Sequence, residues 1–455
     1  MKSTAKTSRR NFLKASGVLA AASLSGRMVH AAGSDVIKIA LIGCGRRGRG
    51  AALDRFAVGD NVKLVAISDI SDERLEQCVD VLSKNEDAAK KLDLPKERIF
   101  PGFDGYKAAI DCADQILIAS FPGFHTAHYE YAVQKGKHVF IEKPFCIDAE
   151  GYRRCMKANQ IAEEKNLTVL SGFQRRHQNS YLEWIKRLVD GAIGDILNMR
   201  TYWNQGGISL RAERKPGETE MSFQTRDWYV FNWLSGDHNL EQHCHNMDVA
   251  NWIIGKGNPL AHPVVCYGMG GRQARRAPWM KPQDCGNIYD HHYVEFHYED
   301  GAVMHSQCRQ IAGCWNSVGE LVQGTAGDGG TVGKPCWLKP KGKEDWTYDA
   351  KGKGKDDKSP YVQEHIDQAD AIRNGKKLHE GWFAATSSMI GVMARMATYS
   401  GREIKWDDAV AKGKTLFPYD KELTFDSQPP VMPGPDGSYE NATAIPGIYD
   451  PFEKV

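Results

Sequence analysis

A short apolar run, residues 36–42, leads directly into Gly43-Cys44-Gly45-Arg46-Arg47-Gly48 and then into a stretch of helical spacing; no other feature narrows the fold so far. A GxGxxG between a strand and a helix has a physical reading. Gly43 permits the tight turn, Gly45 lets the backbone approach a pyrophosphate, and Gly48 lets the helix pack closely on the strand. The free amides and dipole at the helix start favour negative charge. Asp69 ends the next strand-like run, where a carboxylate accepts hydrogen bonds from adenosine ribose hydroxyls and repels a 2′-phosphate. The expected ligand is therefore NAD in preference to NADP, with Ser71 and Arg74 close enough to offer the alternative. Gly43, Cys44, Gly45, Arg46, Arg47, Gly48 and Asp69 are the candidate cofactor contacts.

Strand-like runs at 62–68, 115–120, 138–142 and 168–171 alternate with helical stretches such as 72–82 and 126–135. That βαβ pattern predicts an α/β Rossmann domain with a parallel sheet. After about residue 172 the pattern changes to one helix, 181–189, and alternating strands at 195–204, 264–269, 289–298 and 302–311. Tyr298-Glu299-Asp300-Gly301 signals the hairpin between the last two. The expectation is a C-terminal α+β domain with a large, mainly antiparallel open sheet. Helices at 362–373 and 382–399 close it, the second with Met389, Val392, Met393 and Met396 on a core stripe. Residues 339–359, rich in Lys, Gly and Asp, read as a solvated loop. The domains expected are a signal peptide at 1–32, an NAD-binding domain at 33–172, a substrate and oligomerisation domain at 173–416, and a wrapping tail at 417–455.

The formal charge of +2 misleads, because six basic residues and no acidic one lie in the first 32 positions. Without them, 53 basic residues face 57 acidic ones, and nothing suggests nucleic acid or an anionic membrane. Ser8-Arg9-Arg10-Asn11-Phe12-Leu13-Lys14, the apolar stretch 17–24 and Val29-His30-Ala31 together resemble a twin-arginine signal peptide. This implies passage of folded protein through the Tat translocase into the periplasm. The apolar run is short for a membrane span and no lipobox cysteine follows, so no membrane anchor is expected. Eleven cysteines without a CxxC argue against a disulfide framework, and Cys44 and Cys244 read as small apolar fillers. His243-Cys244-His245 and Asp290-His291-His292 are metal-ligand types, but adjacent positions do not face one point, so no metal site is expected.

Gly136-Lys137-His138-Val139-Phe140-Ile141-Glu142-Lys143-Pro144 resembles the Gfo/Idh/MocA oxidoreductases, whose signature is an EKP tripeptide closing a Rossmann strand. The likeness continues through Gly172-Phe173-Gln174-Arg175-Arg176-His177, Gly191-Ala192-Ile193-Gly194, residues 236–252 with His245-Asn246-Met247-Asp248 inside, and Gly270-Gly271-Arg272-Gln273. It implies that Glu142 and Lys143 lie at the nicotinamide, that Lys143 hydrogen-bonds the reacting hydroxyl, and that His245 exchanges the hydroxyl proton. The chemistry asks for such a pair independently. Oxidising a secondary alcohol needs a base for the O–H proton and a cation for the developing alkoxide. The family pattern places an aspartate four residues before the histidine, whereas position 241 is Glu. On one helix Glu241 and His245 would be i and i+4 and able to cooperate. Asp248, one turn past His245, either orients it or serves packing. Arg175 and Arg176, with His177, offer substrate contacts at the domain junction, or form a solvated cluster. Aromatic residues crowd the region 202–252, with Tyr202, Trp203, Trp228, Tyr229, Trp233 and Trp252. Such rings stack on sugars or fill a core.

The resulting expectation is an NAD-dependent oxidoreductase acting on a sugar, glycoside or cyclitol hydroxyl, with catalytic Lys143, His245 and Glu241. Free NAD is scarce in the periplasm, so the cofactor is expected to be tightly held. Some relatives oxidise a sugar transiently, eliminate the aglycone and return the hydride, which makes an NAD-dependent glycosidase the alternative. A catalytically silent sugar-binding protein is a third reading, against which Lys143 and His245 count. The open second sheet suits a homo-oligomer.

Overall fold

The computed structural model describes residues 36–453 apart from 60, 208–212, 274–285, 334 and 350–357; the signal peptide lies outside the described residues. Its first sheet holds β1 (Ile37–Ile42), β2 (Val62–Asp69), β3 (Ile99–Pro101), β4 (Gln115–Ile118), β5 (His138–Ile141) and β6 (Val169–Ser171), parallel throughout in the order β3-β2-β1-β4-β5-β6. A parallel sheet needs both faces covered, and its strands run nearly continuously apolar; every residue of β4 is buried. β3, three half-exposed residues, has no such run, and the sequence gives no sign of it. Strand order reverses between β1 and β4, which opens a crevice at the carboxyl ends where the glycine motif lies.

Helices α1 (Arg46–Phe56) and α2 (Asp72–Ser83) pack on one face, with Ala51, Ala52, Leu75 and Leu82 against Leu41 and Ile67. Helices α3 (Gly105–Asp111), α4 (Pro122–Gln134) and α5 (Ala149–Glu164) cover the other.

The second sheet has nine strands: β7 (Ile196–Gln205), β8 (Val265–Gly271), β9 (His291–His297), β10 (Val303–Gln310), β11 (Ser317–Gly324), β12 (Gly327–Gly330), β13 (Trp337–Pro340), β14 (Trp346–Thr347) and β15 (Ile404–Lys405). Their order is β14-β13-β12-β11-β7-β10-β9-β8-β15, antiparallel except for the β10–β7 pair. The expected hairpin joins β9 to β10, with Gly301 at φ +88°. The stretch expected as a solvated loop begins differently, because residues of β13 and β14 pair within it. The rest of that stretch includes residues 350–357, outside the described residues, and β12 is Gly-Asp-Gly-Gly because Leu321 and Leu338 occupy the space of its missing side chains.

Further helices include α6 (Asn179–Val189), α7 (Glu220–Arg226), α8 (His238–Glu241), α9 (Cys244–Ile254), α10 (Pro360–Asn374) and α11 (Gly381–Ser400). Helix α11 packs against both β8 and α5, so it lies between the two layers with the methionine stripe buried. Helix α10 departs from expectation. Instead of closing the second sheet, it lies on the first, where Ile372 joins Leu117, Phe140 and Leu170. Gln368 donates to the Val139 carbonyl at 2.8 Å, and the His365 ring sits 4.5 Å from Phe140. The chain leaves β6 for the second layer, so the apolar face of β4–β6 has no crossover helix of its own, and α10 covers it. At the start of the C-terminal segment the Leu416 and Phe417 amides donate to Asp148 at 2.8 and 3.0 Å, and further on Tyr449 packs edge-on against Tyr399. Every described cysteine is a free thiol. No described helix is long and apolar enough to cross a membrane.

Candidate active site

Two of the three glycines are fixed by packing and the third faces open space. Gly43 has φ +94°, and a Cβ there would lie 2.5 Å from the Ala119 backbone; one on Gly48 would lie 1.9 Å from the Gly43 carbonyl oxygen. A Cβ on Gly45 meets nothing within 4 Å. That open space over the start of α1, whose first turn has no acidic residue and no capping side chain, fits a dinucleotide's pyrophosphate. Asp69 accepts the Cys44 amide at 2.7 Å and the Ser71 amide at 3.0 Å. Burial raises the Asp69 pKa and these amides oppose the rise, leaving a carboxylate with spare lone pairs for ribose hydroxyls. Cys44 therefore shapes the loop through its amide, while its thiol is buried as a filler. Ser71 caps α2 by accepting from the Arg74 amide, and Arg46 is exposed.

Lys143 leaves the end of β5 and meets Glu241, donating to its carboxylate at 2.8 Å and also to its backbone carbonyl. Burial pulls the Lys143 pKa down, but Glu241 outweighs it and holds the ammonium above its usual range. The carbonyl contact explains a departure from the single helix expected over 241–245. α8 ends at Glu241 and α9 begins at Cys244, because Lys143 takes the acceptor that a continuous helix would give to the His245 amide. Glu241 and His245 thus sit on two helices, each aimed separately.

His245 is buried, stacked on Trp203 with centroids 6.1 Å apart, and Phe173 meets it edge-on. Burial first, then the charges of Lys143, Arg175 and Arg47, push its pKa well below the ordinary histidine value. It is a neutral imidazole, and its buried Nδ1 has no hydrogen-bond partner among the described residues. Gln205 and Gln310 both donate at 3.0 Å to Gln242, which precedes His245 in the chain.

The two adjacent arginines differ. Arg175 pairs with buried Glu320 at 2.5 Å, and its guanidinium lies 6.0 Å from the Trp203 ring centroid, on the His245 side. Arg176 grips Asp248 with two hydrogen bonds of 3.0 and 2.7 Å, between the rings of Trp252 and Phe383. Asp248 is therefore committed to Arg176 and to Ser387, not to His245. His177 bridges Asp367 at 2.6 Å and Glu380 at 3.0 Å. Of the aromatic residues, Trp233 is core and Tyr202 packs on Trp315, while half-buried Trp203 and Trp228 line the junction, the latter stacked on Phe121. Glu320 is a hub the sequence did not reveal: it also accepts from Asn246, Tyr181 and Thr331.

Of the metal-ligand types noted in the sequence, His243 bonds Ser306 and His292 bonds Thr398, while the neighbours His291 and Asp290 bond each other at 2.7 Å. A different buried group, Asp237, His238 and His292, gathers potential ligand atoms within 4.8 Å. Asp237 accepts from Tyr399 at 2.6 Å, the Tyr289 amide at 3.0 Å and His238 Nδ1 at 2.9 Å, so its carboxylate is engaged by protein donors.

Residues 37–173 match the oxidoreductase family with NAD-binding Rossmann fold, and residues 6–26 match the twin-arginine translocation pathway signal. An inositol 2-dehydrogenase/D-chiro-inositol 3-dehydrogenase of Halalkalibacterium halodurans is 27% identical over 42% of this chain and 45% of its own. A glycosyl hydrolase family 109 protein of Phocaeicola vulgatus is 26% identical over 37% of this chain and 33% of its own. The chain spans about half the length of the first curated relatives it matches. Among solved structures, levoglucosan dehydrogenase in complex with NADH and levoglucosan superposes with TM-score 0.63 at 15% identity, over 82% of this chain and 99% of that one. That likeness is one of fold. With the glycine cradle, Asp69 and the Glu142-Lys143-Pro144 turn in place, residues 37–173 form a Rossmann domain that matches the NAD-binding oxidoreductase family, and the chain as a whole is similar to its sugar- and cyclitol-dehydrogenase members.

Proposed function

We propose that this protein is an exported, NAD-dependent oxidoreductase acting on a secondary hydroxyl of a sugar, glycoside or cyclitol. The observation that carries the proposal is the pairing of a neutral His245 with a charged Lys143 beside the dinucleotide crevice. When bound, the nicotinamide supplies the acceptor for the hydride that leaves the substrate carbon. His245 takes the O–H proton as the C=O bond forms, which a histidine already protonated could not do. Lys143 hydrogen-bonds the same oxygen and steadies its growing negative charge. Glu241 fixes the ammonium in place from α8. The Trp203 face and the amides of Gln205 and Gln242 suit a polyhydroxylated ring, with Arg175 behind them. Arg176, held by Asp248 and two rings, serves the scaffold in this reading, in place of the substrate contact expected from sequence.

The twin-arginine leader directs the folded protein to the Tat pathway, and the periplasm is the compartment proposed. There a tightly held NAD suits the chemistry better than an exchanging one. The open face of the second sheet, with Met269 71% exposed, suits a second copy of the chain. Likeness to the glycosyl hydrolase family 109 protein favours one alternative, in which the same pair oxidises a glycoside transiently and returns the hydride after the aglycone leaves. Mass spectrometry and absorbance of cofactor released from the purified protein, before and after incubation with sugars, cyclitols and glycosides, separate the two. Stable NADH formed by one substrate supports the dehydrogenase. Aglycone release without net reduction supports the glycosidase, and a protein that neither carries nor binds a dinucleotide overturns both.

A further inference from the structure

Arg47 leaves the glycine motif and meets three carboxylates. Its Nε donates to Glu142, its Nη1 donates to Asp54 at 3.0 Å, and its Nη2 lies 3.5 Å from Glu364 Oε1, with the Tyr361 ring 5.0 Å from the guanidinium. Three acids around one cation leave excess negative charge beside a cradle shaped for an anion. The third acid is unlike the others. Glu364, on α10, is fully buried, and neither of its oxygens accepts a hydrogen bond among the described residues; Arg47 Nη2 also lacks a hydrogen-bond partner. A carboxylate so placed is costly to keep charged, and such groups take up a proton instead.

The groups around it point the same way. Burial raises Glu364 well above the usual carboxylate range and Glu142, from the end of β5, adds to the rise. Arg47 from α1 and His177 from the turn Gln174–His177 oppose it, while Glu380, just ahead of α11, reinforces it. On its own helix, His365 is buried and driven to the neutral form by burial, with Arg55 and Arg47 adding to the effect, so it offers no countercharge.

We propose that Glu364 is a positioning residue for the cofactor: as the neutral third acid on Arg47, it leaves the guanidinium free to turn from Glu142 toward a pyrophosphate in the glycine cradle. This rests on the reading of that cradle as a dinucleotide site. An ionised Glu364 would compete for Arg47 and place a further negative charge next to the phosphates. NADH binding and ionisation of Glu364 therefore oppose one another, so affinity falls as pH rises and binding draws in a proton.

The test is calorimetric titration of the cofactor-stripped full-length mature protein with NADH, from about pH 6.5 to about 9, in two buffers of different ionisation heat. His245 titrates below this window and His177, held up at about 10, above it, so neither produces the signal. The expected result is an affinity that weakens toward the alkaline end, where an ionised Glu364 opposes binding, with net proton uptake accompanying that loss. Glu364→Gln, neutral at every pH, is expected to bind with the acid-end affinity throughout and without proton uptake. A wild-type profile that is flat with no proton exchange overturns the proposal, as does a variant that keeps the wild-type slope. If the variant fails to fold, the wild-type proton inventory decides alone. Wild-type protein that binds no NADH at any pH defeats the dinucleotide reading instead.

Discussion

The cradle and the pocket proposed for catalysis are neighbours built on opposite principles. The cradle is backbone: Gly43, Gly45 and Gly48 work by lacking side chains, and Asp69 holds their loop from one strand away. The pocket is side chain. Lys143, Arg175, Trp203, Glu241 and His245 arrive from five separate segments, and the charges among them act on one another: Glu241 holds Lys143 charged, while Lys143 and Arg175 help keep His245 neutral. A site made of absences fails when an atom is added, whereas a site made of charges fails when one is removed.

The sharpest way to break this contrast is to remove the pocket's charges and see whether the cradle notices. Lys143→Met is expected to lower kcat on the order of 10³-fold, with NADH binding and melting temperature close to wild type. A matching loss of NADH affinity would show that the two sites are one. His245→Asn should cost roughly 10²- to 10⁴-fold in kcat. Because wild-type His245 is active when neutral and its pKa is depressed, kcat/KM should stay level down through the ordinary histidine range near 6.5 and fall only at more acid pH. An acid limb centred at or above that value would contradict its assignment as the base.

The opposite experiment adds an atom to the cradle. Gly48→Ala puts a methyl 1.9 Å from the Gly43 carbonyl oxygen and is expected to abolish NADH binding and destabilise the fold by about 2–4 kcal/mol, read by calorimetry and thermal melting. Retained binding would mean that the loop has room to shift. The adjacent arginines sharpen the contrast further. Arg176→Lys loses a bidentate grip on Asp248 and should cost about 1.5–3 kcal/mol in stability with little change in KM, whereas Arg175→Lys should act mainly on KM. The smallest effect concerns His177, whose pKa is raised to about 10: burial works against the charged form, but Glu380 and Asp367 outweigh it. Its charged form stabilises the fold fully below the ordinary value of 6.5, and that contribution is lost as pH rises through about 10. Melting curves of wild type and His177→Gln should therefore converge at alkaline pH, and a constant gap would contradict the ion-pair role.

The same contrast explains what was legible in the sequence. The glycine motif, Asp69 and the Rossmann strands could be read because their meaning is local: a strand, a turn and a helix within a few dozen residues. Lys143 and His245 stood out through family resemblance, and the structure supplies the charges that suit the roles proposed for them. The partition of Arg175 from Arg176 was hidden, because it depends on Glu320 and Asp248, which lie far from the pair in sequence. Glu364 carried no motif at all. The break between α8 and α9 escaped periodicity because it is made by a lysine nearly a hundred residues away. The strands from β11 to β15 carried no expectation: β12, one aspartate among three glycines, looks like a loop, and β14 and β15 are only two residues long.

The position of α10 bears on how such a chain is made and moved. Leu117, Phe140 and Leu170 receive their cover from residues 360–374, so a growing polypeptide has synthesised most of its length before its first sheet can be sealed. Until then a hydrophobic patch of the nascent N-terminal half stays open, and a fragment ending near residue 173 would aggregate rather than fold as an autonomous unit. Ribosome-coupled threading, which draws out the N-terminus first, would part the sheet from its cover. A translocase that accepts only folded cargo, as in the pathway whose signal the leader matches, lets α10 arrive before the journey begins.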